Sequence, residues 1–376
     1  MVTFGVEEEY CFIDSDTLQP RDVSPAVYRA LRVERVESKN VQREFLLSQL
    51  ERPSPVFETL QQALGDLQAF RGRLREAAAS VGVVPCASGT FPSLDGGSVV
   101  TDKPRYHRVY EEYGQVGRDY YFNGLHVHVH IDDRESGVRA LNGLRRWMPL
   151  LTALGANSPF WNGADTGFAS WRTIQLQRWT TRGTPPRFAD SADYDRRIER
   201  LVGVGGTFDD ALVMWNIRLS NHLPTIEIRT PDVQLEAWHT VLLAALTRAL
   251  VATALAGEGE AEELDAELID AALWLSARDG IADQLVHPLT GGVVPAREAV
   301  DALVDHVRGA LEEAGDLALV EEWVDRIFEE GTGAARQLDA YERGGRPSLA
   351  ALYRNSIAPE PAHPTSTVSD AGSSSR

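Results

Sequence analysis

The stretch Gly5-Val6-Glu7-Glu8-Glu9-Tyr10 near the start of the chain has the residue pattern of a β-strand, which we expect to run from Thr3 to Ile13. Side chains alternate between the two faces of a strand, so Glu7 and Glu9 are predicted to share one face, with an apolar face behind them. Two carboxylates at this spacing either form a solvated surface or bind one or two hard cations. The spacing alone leaves both interpretations open.

A second stretch, Gly124-Leu125-His126-Val127-His128-Val129-His130, places three histidines on one face of a predicted strand and valines on the other. Alternating histidines on a strand can bind zinc. Alternatively, one histidine binds magnesium while the others form hydrogen bonds to phosphate or carboxylate, or all three are structural. The pattern does not choose among these three interpretations.

A third stretch, Thr225-Ile226-Glu227-Ile228-Arg229, puts Glu227 and Arg229 on one strand face, opposite the isoleucines. The simplest interpretation is an ion pair. In the functional interpretation, Glu227 binds a metal and the planar guanidinium of Arg229 neutralises phosphoryl oxygens.

Glu51 ends a further predicted strand over residues 44–51. A single carboxylate is weak evidence, and it gains weight only if its strand neighbours that of Glu7. If the polar faces of all these strands converge, they form an oxygen- and nitrogen-rich wall that suits divalent metal and phosphate.

The composition of the 376-residue chain restricts the class of protein. A hydrophobic content of 43% is normal for a globular protein. The net charge of −18 disfavours nucleic acid as a partner. We find no apolar run long enough to span a membrane and no signal peptide, so we expect a cytoplasmic protein without membrane partners. The two cysteines, Cys11 and Cys86, exclude a disulfide framework and a cysteine metal cluster.

The order of predicted elements favours an α+β fold with an antiparallel sheet, because strands and helices mix without a βαβ rhythm. We predict one catalytic domain over residues 1–356, whose C-terminal part at about 258–346 is almost wholly helical. The segment 92–116 is expected to be irregular. Residues 357–376 are rich in Pro, Ser, Thr and Gly and are predicted to be a disordered tail.

Nucleotide-binding loops of the Walker A or Gly-x-Gly-x-x-Gly type are absent from the sequence, as is the Gly-x-Ser-x-Gly motif of serine hydrolases. We therefore expect any nucleotide to bind on the face of a sheet, through metals.

The motifs, in this order, resemble the glutamate–cysteine ligase family, in particular its type-two branch of bacterial and archaeal carboxylate–amine ligases. The three strands described above look like the family's opening, histidine and Glu-x-Arg strands, the last continuing to Asp232. The stretch Ala156-Asn157-Ser158-Pro159-Phe160-Trp161-Asn162-Gly163, followed by Asp165-Thr166-Gly167, looks like its central loop. The resemblance covers the chain to about residue 356.

The resemblance implies a glutamine-synthetase-like fold, a curved antiparallel sheet backed by helices. It also implies an enzyme that uses ATP and Mg²⁺ to join two small molecules, most specifically glutamate and cysteine, into γ-glutamylcysteine through an acyl phosphate. The alternatives are a ligase that uses another acid or amine and an inactive binding or regulatory relative. A homo-oligomer is compatible with the sequence.

The resemblance also implies roles for individual residues. Residues that match metal-ligand positions are Glu7, Glu9, Glu51, His126 and Glu227, which favours magnesium over zinc. Arg229 matches the position that meets the ATP phosphates, and we predict His128 as a second cofactor-binding residue. Glu7 and Arg229 are the predicted catalytic residues. His130 departs from the family pattern, in which relatives often carry a small residue, and the loops 92–116 and 157–187 are candidate lids.

Overall fold

The computed structural model of the protein describes residues 2–33, 41–257 and 264–358. The strands, β1 to β11 in chain order, are Phe4–Ile13, Gln42–Arg43, Gln49–Pro53, Val84–Cys86, Leu125–His130, Phe160–Trp161, Ala164–Asp165, Ile217–Leu219, Thr225–Ile228, Gln284–Val286 and Val293–Pro295. The α-helices, α1 to α13, are Ser24–Val33, Leu60–Ser80, Pro104–Glu112, Gly114–Arg118, Arg134–Leu144, Met148–Leu154, Trp171–Leu176, Ser191–Gly203, Ala237–Leu255, Ala266–Asp279, Ala296–Ala314, Leu317–Glu330 and Gly333–Ile357. Short 3-10 helices cover Arg145–Trp147 and Asp210–Leu212.

A seven-stranded sheet in the order β2-β3-β1-β5-β9-β8, with β4 also paired to β1, forms the centre of the fold. Its strand pairs are all antiparallel. Ten residues long, β1 has three partners: β3 pairs along one edge, and β5 and then β4 pair along the other. The predicted α+β architecture with an antiparallel sheet is therefore confirmed, and the strand order brings the three motif strands together.

Helices cover the reverse face of the sheet. The valines of β5 and the isoleucines of β9 share one hydrophobic core with α2, α5 and α9. Helix α9 is buried on nearly all sides. By length and composition α9 could cross a membrane, contrary to our expectation that no apolar run is long enough, but 78% of the qualifying stretch is buried inside the protein. It is therefore the central core helix of this fold.

The reverse face of β1 is not purely apolar, which corrects our prediction. Glu8 lies there and is fully buried, and it forms an ion pair with the buried Arg71 of α2. Glu8 also accepts hydrogen bonds from Tyr10 Oη and from Thr240 Oγ1 of α9, the latter at 2.7 Å. Arg71 Nη1 donates to Leu235 O at 2.8 Å. This network fixes the strand that carries Glu7 and Glu9 to two helices behind it.

The predicted strand over 44–51 is wrong in its first half, because β3 begins only at Gln49. Phe45 and Leu46 are both buried although they are neighbours, which a regular strand with one polar face does not allow. Gln49 Oε1 accepts a hydrogen bond from Leu46 N at 3.1 Å and closes the turn.

The segment 92–116 is also more ordered than predicted, since it contains α3 and the start of α4. Pro104 occupies the first turn of α3, where its missing N–H costs nothing, and Val109 is buried.

The C-terminal part is mainly helical, as expected, but it also contains the β10–β11 hairpin. Helix α13 continues to Ile357 across a kink at Gly344 and Gly345. Ile357 and Ala358 are buried, so the predicted tail begins too early at residue 357. Residues 359–376 lie outside the described residues, and the single-domain assignment stays a prediction.

Candidate active site

Glu7, His126 and Glu227 form the first group of predicted site residues that the sheet brings together. Glu7 of β1 is paired in register with His126 of β5, and Glu227 lies on β9, the next strand. His126 Nδ1 is 3.0 Å from Glu7 Oε2 and 3.9 Å from Glu227 Oε1. One ligand atom from each side chain lies within 4.8 Å of the other two. Carboxylate oxygens and an imidazole at this separation can share one divalent metal ion.

Glu9, Glu51 and His126 form a second group with the same spacing. Glu9 stands directly opposite Glu51 across the β1–β3 pair, and His126 Nε2 is 3.9 Å from Glu9 Oε1. Glu9 Oε2 also accepts a hydrogen bond from Gly124 N at 2.6 Å, which fixes one of its oxygens. The strand of Glu51 is therefore a direct neighbour of the strand of Glu7 and Glu9. This is the arrangement that strengthens the prediction of Glu51 as a metal ligand.

The protonation states of Glu7 and His126 favour the binding of a cation. Burial raises the pKa of Glu7, but interactions with His126 and His128 outweigh it and hold that pKa well below its usual range. Burial and the charge of Arg229 lower the pKa of His126. An ionised carboxylate and a neutral imidazole are the forms that bind metals.

Glu44 interacts electrostatically with Glu9 and Glu51 and so joins the cluster of carboxylates in the two groups, although the pattern of the sequence does not predict it. Burial and the charge of Glu9 raise its pKa to about 7. Burial, together with Glu44 and Glu7, also raises the pKa of Glu51 well above its usual range. A regular strand over 44–51 would turn Glu44 and Glu51 to opposite faces. The turn before β3 removes this alternation, so strand periodicity could not reveal Glu44.

Glu227 and Arg229 do form an ion pair, and Glu227 has a second partner. Arg218 of β8 binds the same carboxylate through Nε at 2.7 Å and Nη2 at 3.1 Å. Burial raises the pKa of Glu227, but the two guanidinium groups outweigh it and hold that pKa well below its usual range. Arg229 is thus not required as the sole counter-charge of Glu227.

The other two histidines of β5 differ in position. His128 Nδ1 lies 3.0 Å from Thr225 Oγ1, and its Nε2 lies 3.5 Å from Glu7 Oε1. His128 Nε2 is buried, and its contact with Glu7 is long for a hydrogen bond. His130 is exposed at the strand end, 3.6 Å from Asp132, and is not part of either group.

A cavity with about 520 Å³ of empty space, part of it open to solvent, adjoins the two groups. Glu9, His126 and Arg229 belong to its wall. The rest of the wall includes Tyr120, Arg172 and Asn216, with Leu176, Met214 and Leu273 among its apolar members. Clefts that combine apolar walls with a few convergent polar groups are typical sites for small ligands.

The two predicted lid segments both contact this region. Tyr106 and Tyr120 pack edge-on against Phe45, beside Glu44. Arg105 of α3 binds Asp209 through Nε at 3.0 Å and Nη2 at 3.1 Å. From the segment 157–187, Arg172 and Leu176 of α7 reach the cavity wall. Their movement as lids stays a prediction.

Comparison with protein families identifies the chain. The model of glutamate–cysteine ligase family 2 matches residues 3–355. The protein belongs to this family. It is accordingly an ATP-dependent ligase that joins a carboxylate to an amine.

The ligase is similar in sequence to a Salinispora tropica protein that carries the provisional name glutamate–cysteine ligase 2. They are 42% identical over 347 residues, which cover 92% of this chain and 91% of the relative. A Nocardia farcinica protein with the provisional name glutamate–cysteine ligase 2-1 is 38% identical, covering 96% of each chain.

Two solved structures share the fold of the ligase. A bifunctional glutathione synthetase from Pasteurella multocida superposes with a TM-score of 0.69 at 16% identity, covering 95% of this chain and 52% of that one. The ligase thus spans about half the length of that protein. A glutamate–cysteine ligase from Francisella tularensis, solved with AMP, gives a TM-score of 0.66 at 13% identity, covering 95% and 88% of the two chains. These neighbours confirm the glutamine-synthetase-like fold class.

Proposed function

We propose that this ligase joins the γ-carboxylate of glutamate to the amino group of cysteine and forms γ-glutamylcysteine, with ADP and phosphate as the other products. The observation that carries the proposal is the convergence of the carboxylates and His126 beside Arg229 at the wall of one cavity. The names of the two relatives described above support the same substrates. A cytoplasmic location stays a prediction from the sequence.

The residues present fit divalent magnesium. The two groups offer carboxylate oxygens and one imidazole, without a thiolate. Burial, and after it the charges of neighbouring carboxylates, raises the pKa values of Glu44 and Glu51, and a bound cation would favour their ionised forms. Glu7, His126 and Glu227 would hold one Mg²⁺, and Glu9 and Glu51, with Glu44 beside them, a second. Bound Mg²⁺ offsets the charge of phosphate groups and of the phosphoryl group in transfer.

The first step in this proposal activates the acid. A carboxylate is a poor acyl donor, since its oxygen leaves badly. An oxygen of the γ-carboxylate attacks the γ-phosphorus of ATP, the bond to the bridging oxygen breaks, and ADP leaves. Arg229 contributes a planar guanidinium at the cavity wall that can donate to two phosphoryl oxygens at once. Its charge is available for this, because Arg218 also neutralises Glu227.

In the second step the amine nitrogen attacks the acyl carbon of the γ-glutamyl phosphate, phosphate leaves, and the nitrogen loses a proton. Water competes with the amine for this intermediate, so the cavity must exclude it. The aromatic side chains of Phe45, Tyr106 and Tyr120 pack together, and Tyr106 lies near enough to Glu44 and Glu51 for their charges to raise its pKa. This aromatic packing is the part of the structure that supports protection of the intermediate.

The test is mass spectrometry of the products after incubation of the full chain with ATP, Mg²⁺, glutamate and cysteine. We expect γ-glutamylcysteine and ADP in equal amounts. Parallel reactions replace cysteine with a panel of amino acids and amines, and ADP release reports turnover. A different amide product would replace the substrate assignment. ATP binding without turnover on any acid and amine would overturn the proposal in favour of an inactive relative.

A further inference from the structure

Arg172 is a second guanidinium in the wall of the cavity, and the reaction proposed above assigns it no role. Its side chain is only 5% exposed. Nη1 donates to Thr230 O and to Pro231 O, each at 3.2 Å, and Nη2 donates to Arg229 O at 3.0 Å. The three carbonyls orient the guanidinium but do not neutralise its charge.

Asp232 is the carboxylate nearest to Arg172, with its Oδ1 3.7 Å from Arg172 Nη1. Asp232 itself is held by Asn157 N at 2.8 Å, Ser158 Oγ at 2.7 Å and Ser170 Oγ at 3.1 Å. Since hydrogen bonds from other groups occupy its oxygens, Asp232 orients Arg172 from a distance without forming a close ion pair. The guanidinium keeps the capacity to bind a second anion.

Two glycines make room for this pair. A Cβ on Gly124 would lie 2.5 Å from Arg172 Nη2, and a Cβ on Gly89 would lie 2.4 Å from Asp232 Cγ. Either methyl group would displace the charged side chain that it meets. The backbone after β4 therefore passes close to Asp232, and the backbone just before β5 passes close to Arg172.

Asn216 supplies the opposite kind of group in the same wall. It is 8% exposed, and its Nδ2 donates to Thr184 Oγ1 at 3.1 Å. Its Oδ1 is buried and has no hydrogen-bonding partner among the described residues. A buried acceptor without a donor is costly unless a ligand supplies one.

We propose that Arg172 binds the α-carboxylate and Asn216 Oδ1 the α-ammonium group of an amino-acid substrate, with Asp232 as the residue that positions Arg172. This inference rests on the proposed function, because that reaction brings amino acids to the cavity. A cation and an acceptor in one small cavity match the zwitterionic head that all α-amino acids share. These α-carboxylate and α-ammonium groups belong either to the amino acid whose γ-carboxylate is activated or to the amino acid whose amine attacks.

The experiment measures binding by calorimetry, with Mg²⁺ and a non-hydrolysable ATP analogue present. Glutamate is compared with 4-aminobutyrate, which lacks the α-carboxylate, and with glutarate, which lacks the α-ammonium group. Cysteine is compared with cysteamine, which lacks the carboxylate, and with 3-mercaptopropionate, which lacks the amine. The wild type is expected to bind one amino acid at least about tenfold more tightly than its truncated analogues, since a charged hydrogen bond is lost. The amino acid that shows this difference in affinity is the substrate whose α-carboxylate and α-ammonium groups bind to Arg172 and Asn216.

Arg172→Gln should remove the preference for the ligand that bears the α-carboxylate, and Asp232→Asn should reduce it. Asn216→Ala, outside the buried charge pair, should remove the preference for the ligand that bears the α-ammonium group. Arg248→Gln is the matched control, because Arg248 of α9 is 3% exposed, forms an ion pair with Asp316 and lies away from the cavity wall. It is expected to lower the melting temperature without changing either preference. If Arg172→Gln does not fold, the binding preferences of Asn216→Ala, compared with those of the wild type, test the inference.

Retention of both preferences by Arg172→Gln and Asn216→Ala would overturn the inference, as would wild-type protein that binds the truncated analogues as tightly as the amino acids. Wild-type protein that binds neither amino acid would also overturn it. The failure of the proposed function looks different: no amide is formed, yet the preferences in binding and their loss in the variants remain.

Discussion

Glu9 of β1 lies directly opposite Glu51 of β3, two carboxylates in one cross-strand pair of the central sheet. Like charges in this position destabilise a sheet, and burial with the neighbouring carboxylates raises the pKa of Glu51. The pair therefore lowers the stability of the metal-free protein. Under the proposed function, a bound cation would supply the compensating positive charge.

The first prediction concerns this pair. Glu51→Gln should raise the free energy of unfolding of the metal-free protein by about 1 kcal/mol, because it removes a carboxyl group whose ionised form is disfavoured by burial beside other carboxylates. The same change should abolish most of the stabilisation that Mg²⁺ gives the wild type. Thermal melts in EDTA and in a Mg²⁺ series measure both effects. A variant that melts below the wild type in EDTA and keeps its full response to Mg²⁺ would show that Glu51 is only structural.

Glu7→Gln should nearly abolish turnover and leave the fold intact. Glu7 contacts His126 and sits at the centre of the first group, so the change removes one anionic ligand. The loss of a few kcal/mol in the transition state corresponds to about a hundredfold or more in rate. Steady-state ADP release at saturating Mg²⁺ is the measurement. Glu58→Gln, at an exposed position, is the control and should keep normal activity; near-normal turnover of Glu7→Gln would remove Glu7 from the site.

Arg229→Lys should be severely impaired in kcat, with a small change in melting temperature. A lysine keeps the charge but cannot hold two phosphoryl oxygens in a planar fork. Stability should change little, because Arg218 still binds Glu227 through two atoms. Kinetics and melts on Arg229→Lys and Arg218→Lys together separate the two roles. If Arg229→Lys keeps its kcat and loses stability instead, Arg229 is a structural partner of Glu227.

The strands that form the site could be predicted because their alternation is regular. His126 and Glu227 each stand in a strand with branched apolar residues on the reverse face, and the structure brings them together with Glu7. The order of the strands in the sheet could not be predicted from any single stretch of sequence. It follows from the length of β1 and from the packing of α2 and α9 behind it.

The residues that escaped prediction stand where periodicity fails or where a contact is distant in sequence. Glu44 lies between β2 and the turn that precedes β3, so no repeating pattern gives the direction of its side chain. Glu8 lies within a predicted strand, but its partner Arg71 is 63 residues away. Asn216 has no motif around it, and its significance appears only from the cavity it faces.

The ion pair between Glu8 and Arg71 should be a large part of the stability of β1, without a part in catalysis. Both side chains are fully buried, so Arg71→Met leaves an unpaired carboxylate in the core. The expected loss is about 3–5 kcal/mol in the free energy of unfolding. Adding Glu8→Gln to Arg71→Met should restore part of it, because the isolated charge is gone. Denaturant unfolding of the single and double variants measures the recovery, and strictly additive losses would contradict a direct pair.

His239 should make the stability of the ligase depend on pH. It is buried in α9, its Nε2 lies 3.0 Å from Leu154 O, and burial lowers its pKa from 6.5 to about 4. The unfolded chain therefore binds a proton on this histidine at a higher pH than the folded chain does. The contribution of His239 is fully present above pH 6.5 and is lost as the pH falls towards 4, by about 3 kcal/mol in all. Denaturant unfolding at pH 7.5 and at pH 4.5 should show a smaller loss on acidification for His239→Gln than for the wild type. His222→Gln, in an exposed turn, should follow the wild type, and equal losses in all three proteins would show that His239 is not the titrating group.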